Sequence, residues 1–258
     1  MDESKLLEVA KQAALKSGKL IESFLGKEHN VTIKRNSSDF ATEADLEAEK
    51  TIIKTIRNNF PDHNIISEEK GEENTGSEYT WVIDPLDGTV AFSTGVPFYS
   101  VSIGLMYKDK PILGVINHLA LHDLYWAVEG KGASLNGRKI HVSNISVLEY
   151  AVLNIDCGHL DTRQLKYDKY LVPLMNKVRY TYSLGGAAAS IAMIAKGVLD
   201  GAPNSAYIWD FAAAAMILKE AGGKLTDLDG VEPDWTKTRL DLVASNGLIH
   251  DQMLEVLR

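Results

Sequence analysis

One apolar run that stops in carboxylates constrains this chain more than any other stretch: Trp81-Val82-Ile83-Asp84-Pro85-Leu86-Asp87-Gly88-Thr89. Residues 81–83 predict a strand in the core, and such a strand cannot continue unchanged through two aspartates. The chain turns there, with Pro85 as a rigid position and Gly88 as a permissive one. A turn explains the proline and the glycine. It leaves unexplained why a strand so apolar should end in two carboxylates followed by Gly-Thr. Carboxylates three residues apart at a strand end can converge on one point, Gly88 lets backbone N–H groups approach an oxyanion, and Thr89 adds a hydroxyl. Hard divalent cations and phosphate oxygens need this set of groups.

The rest of the chain supplies a scaffold of alternating helices and strands. Residues 6–25 carry Leu6, Ala10, Ala13, Ala14, Ile21 and Phe24 at helical spacing, with Gly26 as a stop. A second helix is expected over 42–59, burying Ile52, Ile53 and Ile56. Strands are expected at 64–67 and 79–83, then at Val101, Ile103 and Leu105, at 112–116 and at 124–128, with Asn136-Gly137 as a hairpin turn. Beyond about residue 143, strands at 151–155 and 178–182 are interleaved with helices at 164–175, 186–195 and 211–221. A short strand at 242–244 and a helix at 248–257 close the chain. Two subdomains, 1–143 and 144–258, sharing one interface and built of stacked helical and sheet layers, follow from this order.

Bulk properties narrow the function. A net charge of −8 argues against a nucleic-acid surface as the main partner. Cys157 is the single cysteine, so there is no internal disulfide framework, and a reducing cytoplasm fits. The N-terminal residues lack a basic region followed by an apolar one, and no segment reaches the roughly 20 apolar residues of a membrane span.

Four acidic features stand apart from ordinary surface charge. In Asp39-Phe40-Ala41-Thr42-Glu43-Ala44-Asp45, Thr42 and Asp45 can cap the second helix or serve a site. Ser67-Glu68-Glu69 follows an apolar strand, where one carboxylate is free to face solvent. Asp84 and Asp87 form the third feature. Asp210, between Trp209 and the apolar run 211–218, can cap a helix or act as a ligand. Together Glu68, Asp84, Asp87 and Asp210 make an all-oxygen set, which Mg²⁺ or Mn²⁺ favours over zinc. Other chemistries lack their signatures. His118 and His122 stand four apart in a stretch that reads as a β-hairpin, no Cys/His set has zinc spacing, and no nucleophile elbow or phosphate-binding glycine loop is present.

These motifs, with Gly130-Lys131-Gly132-Ala133 and Ala221-Gly222-Gly223, resemble the inositol monophosphatase family of Mg²⁺-dependent, Li⁺-sensitive phosphatases over nearly the whole chain. The resemblance implies an α+β fold, a layered α-β-α-β-α sandwich, and usually a cytoplasmic homodimer. It implies a phosphomonoesterase acting on a small phosphorylated polyol such as inositol monophosphate. Carried over by position, Glu68, Asp84 and the Leu86 carbonyl match ligands of one metal, and Asp84, Asp87 and Asp210 those of a second. A third, weaker ion would lie near Glu68. Glu68 and Thr89, backed by Asp45, match the groups that activate water. Asp87, Gly88, Thr89 and Asp210, the turn Gly185-Gly186-Ala187, and Lys34 on a mobile loop match substrate contacts. The departures fall on the alcohol side: Ala91 replaces an Asn, Ala213-Ala214 an Ala-Gly, Tyr182 or Ser183 an Arg, and residues 201–209 contain no acid. Histidinol phosphate, fructose 1,6-bisphosphate and 3′-phosphoadenosine phosphate therefore stand beside inositol phosphate as substrates, and a regulatory, binding member of the fold stands as the non-enzymatic alternative.

Overall fold

Apolar residues at helical spacing produce the first two helices. In the computed structural model, which describes residues 2–27 and 31–258, α1 (Glu3–Glu22) buries Leu6, Ala10, Ala13, Ala14 and Ile21 and is capped by the Asp2 carboxylate. α2 (Glu43–Arg57) buries Ile52 and Ile56. Between them stands a hairpin that the sequence pattern does not announce, β1 (Val31–Asn36) and β2 (Asp39–Thr42). β1 is exposed along nearly its whole length, so it lacks the alternation by which a half-buried strand is read.

The large sheet follows from alternation. It contains β3 (Asn64–Ser67), β4 (Gly71–Glu73), β5 (Tyr79–Asp87), then, after the short helix α3 (Thr89–Thr94), β6 (Ser100–Tyr107), β7 (Lys110–His118), β8 (Asp123–Val128), β9 (Ala133–Leu135) and β10 (Arg138–Lys139). Its order is β10-β9-β8-β7-β6-β5-β3-β4, antiparallel except where β3 and β5 run parallel. Trp81, Ile83, Val101, Ile103, Leu105 and Val115 join the core beneath α1 and α2. Val82, Met106 and Ile116 enter the core on the opposite face. His118 ends β7 and His122 lies beyond a helical turn, so the two do not share a helix face.

The remaining elements are β11 (Val152–Asn154), α4 (Arg163–Lys166), which passes through a π turn (Tyr167–Leu171) into α5 (Val172–Leu174), β12 (Tyr180–Tyr182), α6 (Ala187–Ala195), β13 (Gly201–Tyr207), α7 (Ile208–Glu220), β14 (Lys224–Asp227), β15 (Arg239–Ser245) and α8 (His250–Leu257). The second sheet has the order β12-β11-β13-β15-β14. The helix expected over 164–175 is thus interrupted by a π turn. β13 was not foreseen because it contains Gly201 and Pro203. Proline survives there because β11 pairs with β13 only at Gly201, so further along β13 offers an unpaired edge.

Helix α7 is buried on nearly all sides, from Ile208 to Leu218. A helix that is apolar all round belongs between two layers. α6 and α7 lie between the sheets, α1 and α2 cover the outer face of the first, and α5 and α8 cover the outer face of the second. The expected α-β-α-β-α sandwich is therefore present, and the chain passes from one sheet to the other between Lys139 and Val152.

The seat of α7 rests on two glycines. Gly104 and Gly114 face each other across β6 and β7. A methyl group on Gly114 would stand 2.2 Å from the Ala213 carbonyl oxygen, and one on Gly104 would stand 3.0 Å from Ala212 Cβ. Helix backbone lies directly on sheet backbone, and no side chain can yield. Gly114→Ala is expected to cost about 3 kcal/mol, since overpacked cores lose roughly 1–3 kcal/mol even where they relax. Urea unfolding measures this, and an unchanged midpoint would show that the contact is not close.

Candidate metal centre

A regular strand points residues three apart to opposite faces, so Asp84 and Asp87 should diverge. They do not, because β5 contains a bulge. Asp84 pairs with Ser102 and Asp87 with Ser100, so three steps on β5 match two on β6. The extra residue falls at Pro85-Leu86 and turns both carboxylates to one side. Glu68 follows the last residue of β3, where Ser67 pairs with Ile83 in parallel register, and Glu68 N donates to the Ile83 carbonyl at 3.2 Å. Glu68 and Asp84 thus emerge side by side at the carboxyl ends of neighbouring parallel strands. Asp210 arrives from the first turn of α7. Oxygens of Asp84, Asp87 and Asp210 lie within 4.8 Å of one another.

Each carboxylate is fixed by one oxygen. Asp84 Oδ1 accepts from Leu86 N at 3.0 Å. Asp87 Oδ2 accepts from Ala189 N at 3.0 Å and from Ser100 Oγ at 3.1 Å. Asp210 Oδ2 accepts from Tyr207 N at 2.7 Å, which caps α7. Capping and site membership are compatible, because a carboxylate has two oxygens. The same holds for Asp45: Oδ2 accepts from Thr42 N at 2.8 Å, while Oδ1 accepts from Thr89 Oγ1 at 3.0 Å. Thr89 Oγ1 also lies 3.0 Å from the Leu86 carbonyl oxygen.

Burial and mutual repulsion dominate the electrostatics. Burial pushes Asp87 up to about 6, against the opposing pull of its Ala189 and Ser100 donors. Burial, then the charges of Glu68, Asp87 and Asp210, raise Asp84 well above the carboxylate range. Burial and the charges of Asp87 and Glu68 do the same to Asp210. Burial raises Asp45 to about 6, and burial with Glu68 raises Glu69 to about 7. Carboxylates in this state gain most from a cation of high charge, and an all-oxygen donor set suits a hard divalent ion.

The structure places the remaining expected residues in two groups. Gly88 and Thr89 line the cavity above the carboxylates, as do Gly185, Gly186 and Ala187. Gly88 has φ 89°, and a Cβ there would stand 2.7 Å from the Phe98 carbonyl oxygen. Gly186 has φ 86°, and a Cβ there would stand 3.1 Å from Asp87 Oδ2. With Ala187 and Ala189 N–H groups directed to Asp87, the Gly185–Ala187 turn acts here on a carboxylate. Lys34 lies on strand β1, where a loop was expected, and its Nζ donates to Glu68 Oε1 at 2.7 Å and to Glu69 Oε1. Burial opposes the charge on Lys34, but Glu68 and Glu69 outweigh it and hold the ammonium above its usual range.

The cavity, of about 400 Å³, is also lined by Asp156, His159, Arg163, Lys166 and Arg239. Sequence reasoning missed these. Charged residues on a short helix and at a strand start carry no signal of what they face, and only the packing of the second sheet brings them to the cavity. Tyr182 is not among the lining residues, whereas Ser183 is.

Comparison with known proteins places the chain among relatives of one family. The family model described as the inositol monophosphatase family matches residues 2–258. A protein of Aquifex aeolicus named fructose-1,6-bisphosphatase/inositol-1-monophosphatase is 36% identical over 257 residues, covering 98% of this chain and 96% of the relative. A Nus factor SuhB of Pseudomonas aeruginosa is 34% identical, covering 87% of this chain and 86% of its own. The crystal structure of the extragenic suppressor protein SuhB from Bartonella henselae superposes with a TM-score of 0.92 at 32% identity, covering 98% of both chains.

The raised carboxylates predict a linked dependence on pH and metal. Unfolded carboxylates titrate near about 4, and the folded values of Asp45 and Asp87 are about 6. Between these limits the folded state holds more protons, so stability conferred by these groups falls as pH rises from about 4 to 7. A cation that replaces the protons reverses the loss. The increase in Tm on adding Mg²⁺ is expected to be larger at pH 7.5 than at pH 5. Equal increments at the two pH values would contradict the assignment.

Proposed function

The chain belongs to the inositol monophosphatase family and is a phosphatase, and from that premise we propose that it is a Mg²⁺-dependent phosphomonoesterase acting on a small phosphorylated polyol. The observation that carries this reading is the convergence of Asp84, Asp87 and Asp210 oxygens within 4.8 Å at the floor of a cavity. Asp84, Asp87 and Asp210, with Glu68 and the Leu86 carbonyl, would hold the metal. When bound, divalent ions supply charge neutralisation at the phosphoryl oxygens and a water of lowered pKa.

The residues of the chain account for the remaining requirements. Gly88 lets the chain turn tightly against the Phe98 carbonyl, and the first residue of α3, Thr89, offers its N–H to a phosphate in the cavity. The Thr89 hydroxyl is held by Asp45 Oδ1 and can orient a water against phosphorus. Glu68 stands beside Asp84 at the same strand ends and is the candidate to take that water's proton. For this, Glu68 must be released from the Lys34 ammonium that its Oε1 holds at 2.7 Å. No side chain in this arrangement is placed as a nucleophile, so direct attack by water is the reading.

Inositol monophosphate and fructose 1,6-bisphosphate are the first substrates to compare, since the Aquifex relative's name joins both activities. A non-catalytic role is a weaker reading, because oxygens of Asp84, Asp87 and Asp210 converge within 4.8 Å in the cavity while Glu68 lines it beside them.

Two outcomes check the proposal. Asp87→Asn is expected to lower Mg²⁺-dependent phosphate release by about 100-fold or more, since even outer partners of a metal site cost roughly 10–100-fold, with circular dichroism unchanged. Thr89→Val is expected to reduce kcat by about 100-fold with KM little altered, the lower range for a lost proton-relay group. Full turnover in a folded Asp87→Asn variant would remove the proposal.

A further inference from the structure

An amphipathic helix turns apolar residues to the core, yet the buried face of α2 carries two carboxylates. Asp45 is wholly buried and Glu49 is 5% exposed. Four residues apart, they lie one above the other, in line with Ile52 and Ile56. Asp45 is accounted for by Thr42 and Thr89. Glu49 has no part in the metal centre described above, and a buried carboxylate is costly unless donors meet it.

Its donors come from the turn that carries Glu68. Glu49 Oε1 accepts from Glu69 N at 3.0 Å and from Lys70 N at 3.1 Å. Residues 68–70 join β3 to β4, with Ser67 and Gly71 as the last pair, and Gly71 has φ 82°. Glu68 N is itself tied to the Ile83 carbonyl of β5. Successive N–H groups of the turn are therefore held by two elements, β5 and α2. These groups are partly buried, where an acceptor must meet them. Lys34 meanwhile draws on the side chains of Glu68 and Glu69. A backbone anchor is what keeps the turn in place once Glu68 leaves that ammonium.

We infer that Glu49 is a positioning residue for the reaction: it fixes the backbone at Glu68, so that this carboxylate stands ready beside Asp84. Asp45, one helical turn earlier, holds the Thr89 hydroxyl by Oδ1. One face of α2 thus sets both groups assigned to the attacking water, Glu68 through a main-chain turn and Thr89 directly. What the turn requires of Glu49 is an acceptor at the right reach. Its charge is no asset, because Glu68 and Glu69 already repel each other there. The inference rests on the phosphatase reading, with Glu68 in the role given above, and deepens it.

The test compares Glu49→Ala, Glu49→Gln and Glu49→Asp with the wild-type protein. Hydrolysis of p-nitrophenyl phosphate gives kcat and KM, calorimetry gives the affinity for Mg²⁺, and hydrogen exchange read by NMR follows the Glu69 and Lys70 amides. Glu49→Ala is expected to lower kcat by about 10- to 100-fold, as for an outer partner of a metal site, with KM within about twofold and Mg²⁺ binding weakened about tenfold. Exchange at Glu69 and Lys70 should accelerate while the Ile52 and Ile56 amides stay slow. Glu49→Gln keeps the length and a carbonyl acceptor, and is expected to recover kcat to within about fivefold of wild type. Glu49→Asp keeps the charge but falls one methylene short, and should stay as impaired as Glu49→Ala. If Glu49→Ala does not fold, the contrast between Glu49→Gln and Glu49→Asp decides. Wild-type kcat and Mg²⁺ affinity in folded Glu49→Ala, unchanged exchange at Glu69 and Lys70, or better recovery in Glu49→Asp than in Glu49→Gln overturns this inference alone. Absence of phosphate release from the wild-type protein overturns the phosphatase reading with it.

Discussion

Buried carboxylates repel one another, and the centre of this protein is organised around that repulsion. Asp84, Asp87 and Asp210 are drawn from a bulged strand and a helix start into one small volume. Such a grouping is costly in an apolar interior unless positive charge or donors meet it. The fold supplies donors at one oxygen of each acid, from Leu86 N, Ala189 N, Ser100 Oγ and Tyr207 N. Two sheets and the helices between them are arranged so that these backbone donors arrive at the right places.

What could be read from the chain divides along physical lines. The strand that ends in Asp84 was legible because an apolar run and a carboxylate pair contradict each other unless something binds between them. α7 was legible from its unbroken apolar composition. The bulge was not, since no residue in Asp84-Pro85-Leu86-Asp87 identifies the pairing register with β6. Nor was the β1-β2 hairpin, whose exposed strand lacks alternation. Capping and a place in the site are not exclusive: Asp45 holds Thr42 with one oxygen and Thr89 with the other, and Asp210 caps α7 from within the carboxylate cluster. The cationic lining of the cavity stayed hidden because Arg163 and Lys166 on α4 and Arg239 at the start of β15 are far apart in sequence and meet one cavity only through the packing of the second sheet.

Carboxylates and cationic side chains line one cavity, with Asp84, Asp87 and Asp210 beside Lys166 and Arg239. Lys34 adds a cation on β1, paired with Glu68 and Glu69, and the β1-β2 hairpin meets the second sheet's side through Arg35 and Asp161 and through Leu160 N and Ser38 Oγ. The N-terminal segment thereby touches both the acidic and the basic parts of the site.

The contact of α7 with Gly104 and Gly114 has a consequence for how such a protein can diverge. Where side chains separate a helix from a sheet, every change of residue alters the spacing. Here the spacing is the thickness of two backbones, which mutation elsewhere does not change. The helix is a fixed gauge, and Asp210 at its start inherits that tolerance. Surrounding cores can be rebuilt residue by residue while the distance from Asp210 to Asp84 and Asp87 stays constant. Side chains elsewhere on the cavity wall, such as Arg163 and Arg239, have no such backbone contact to hold their spacing.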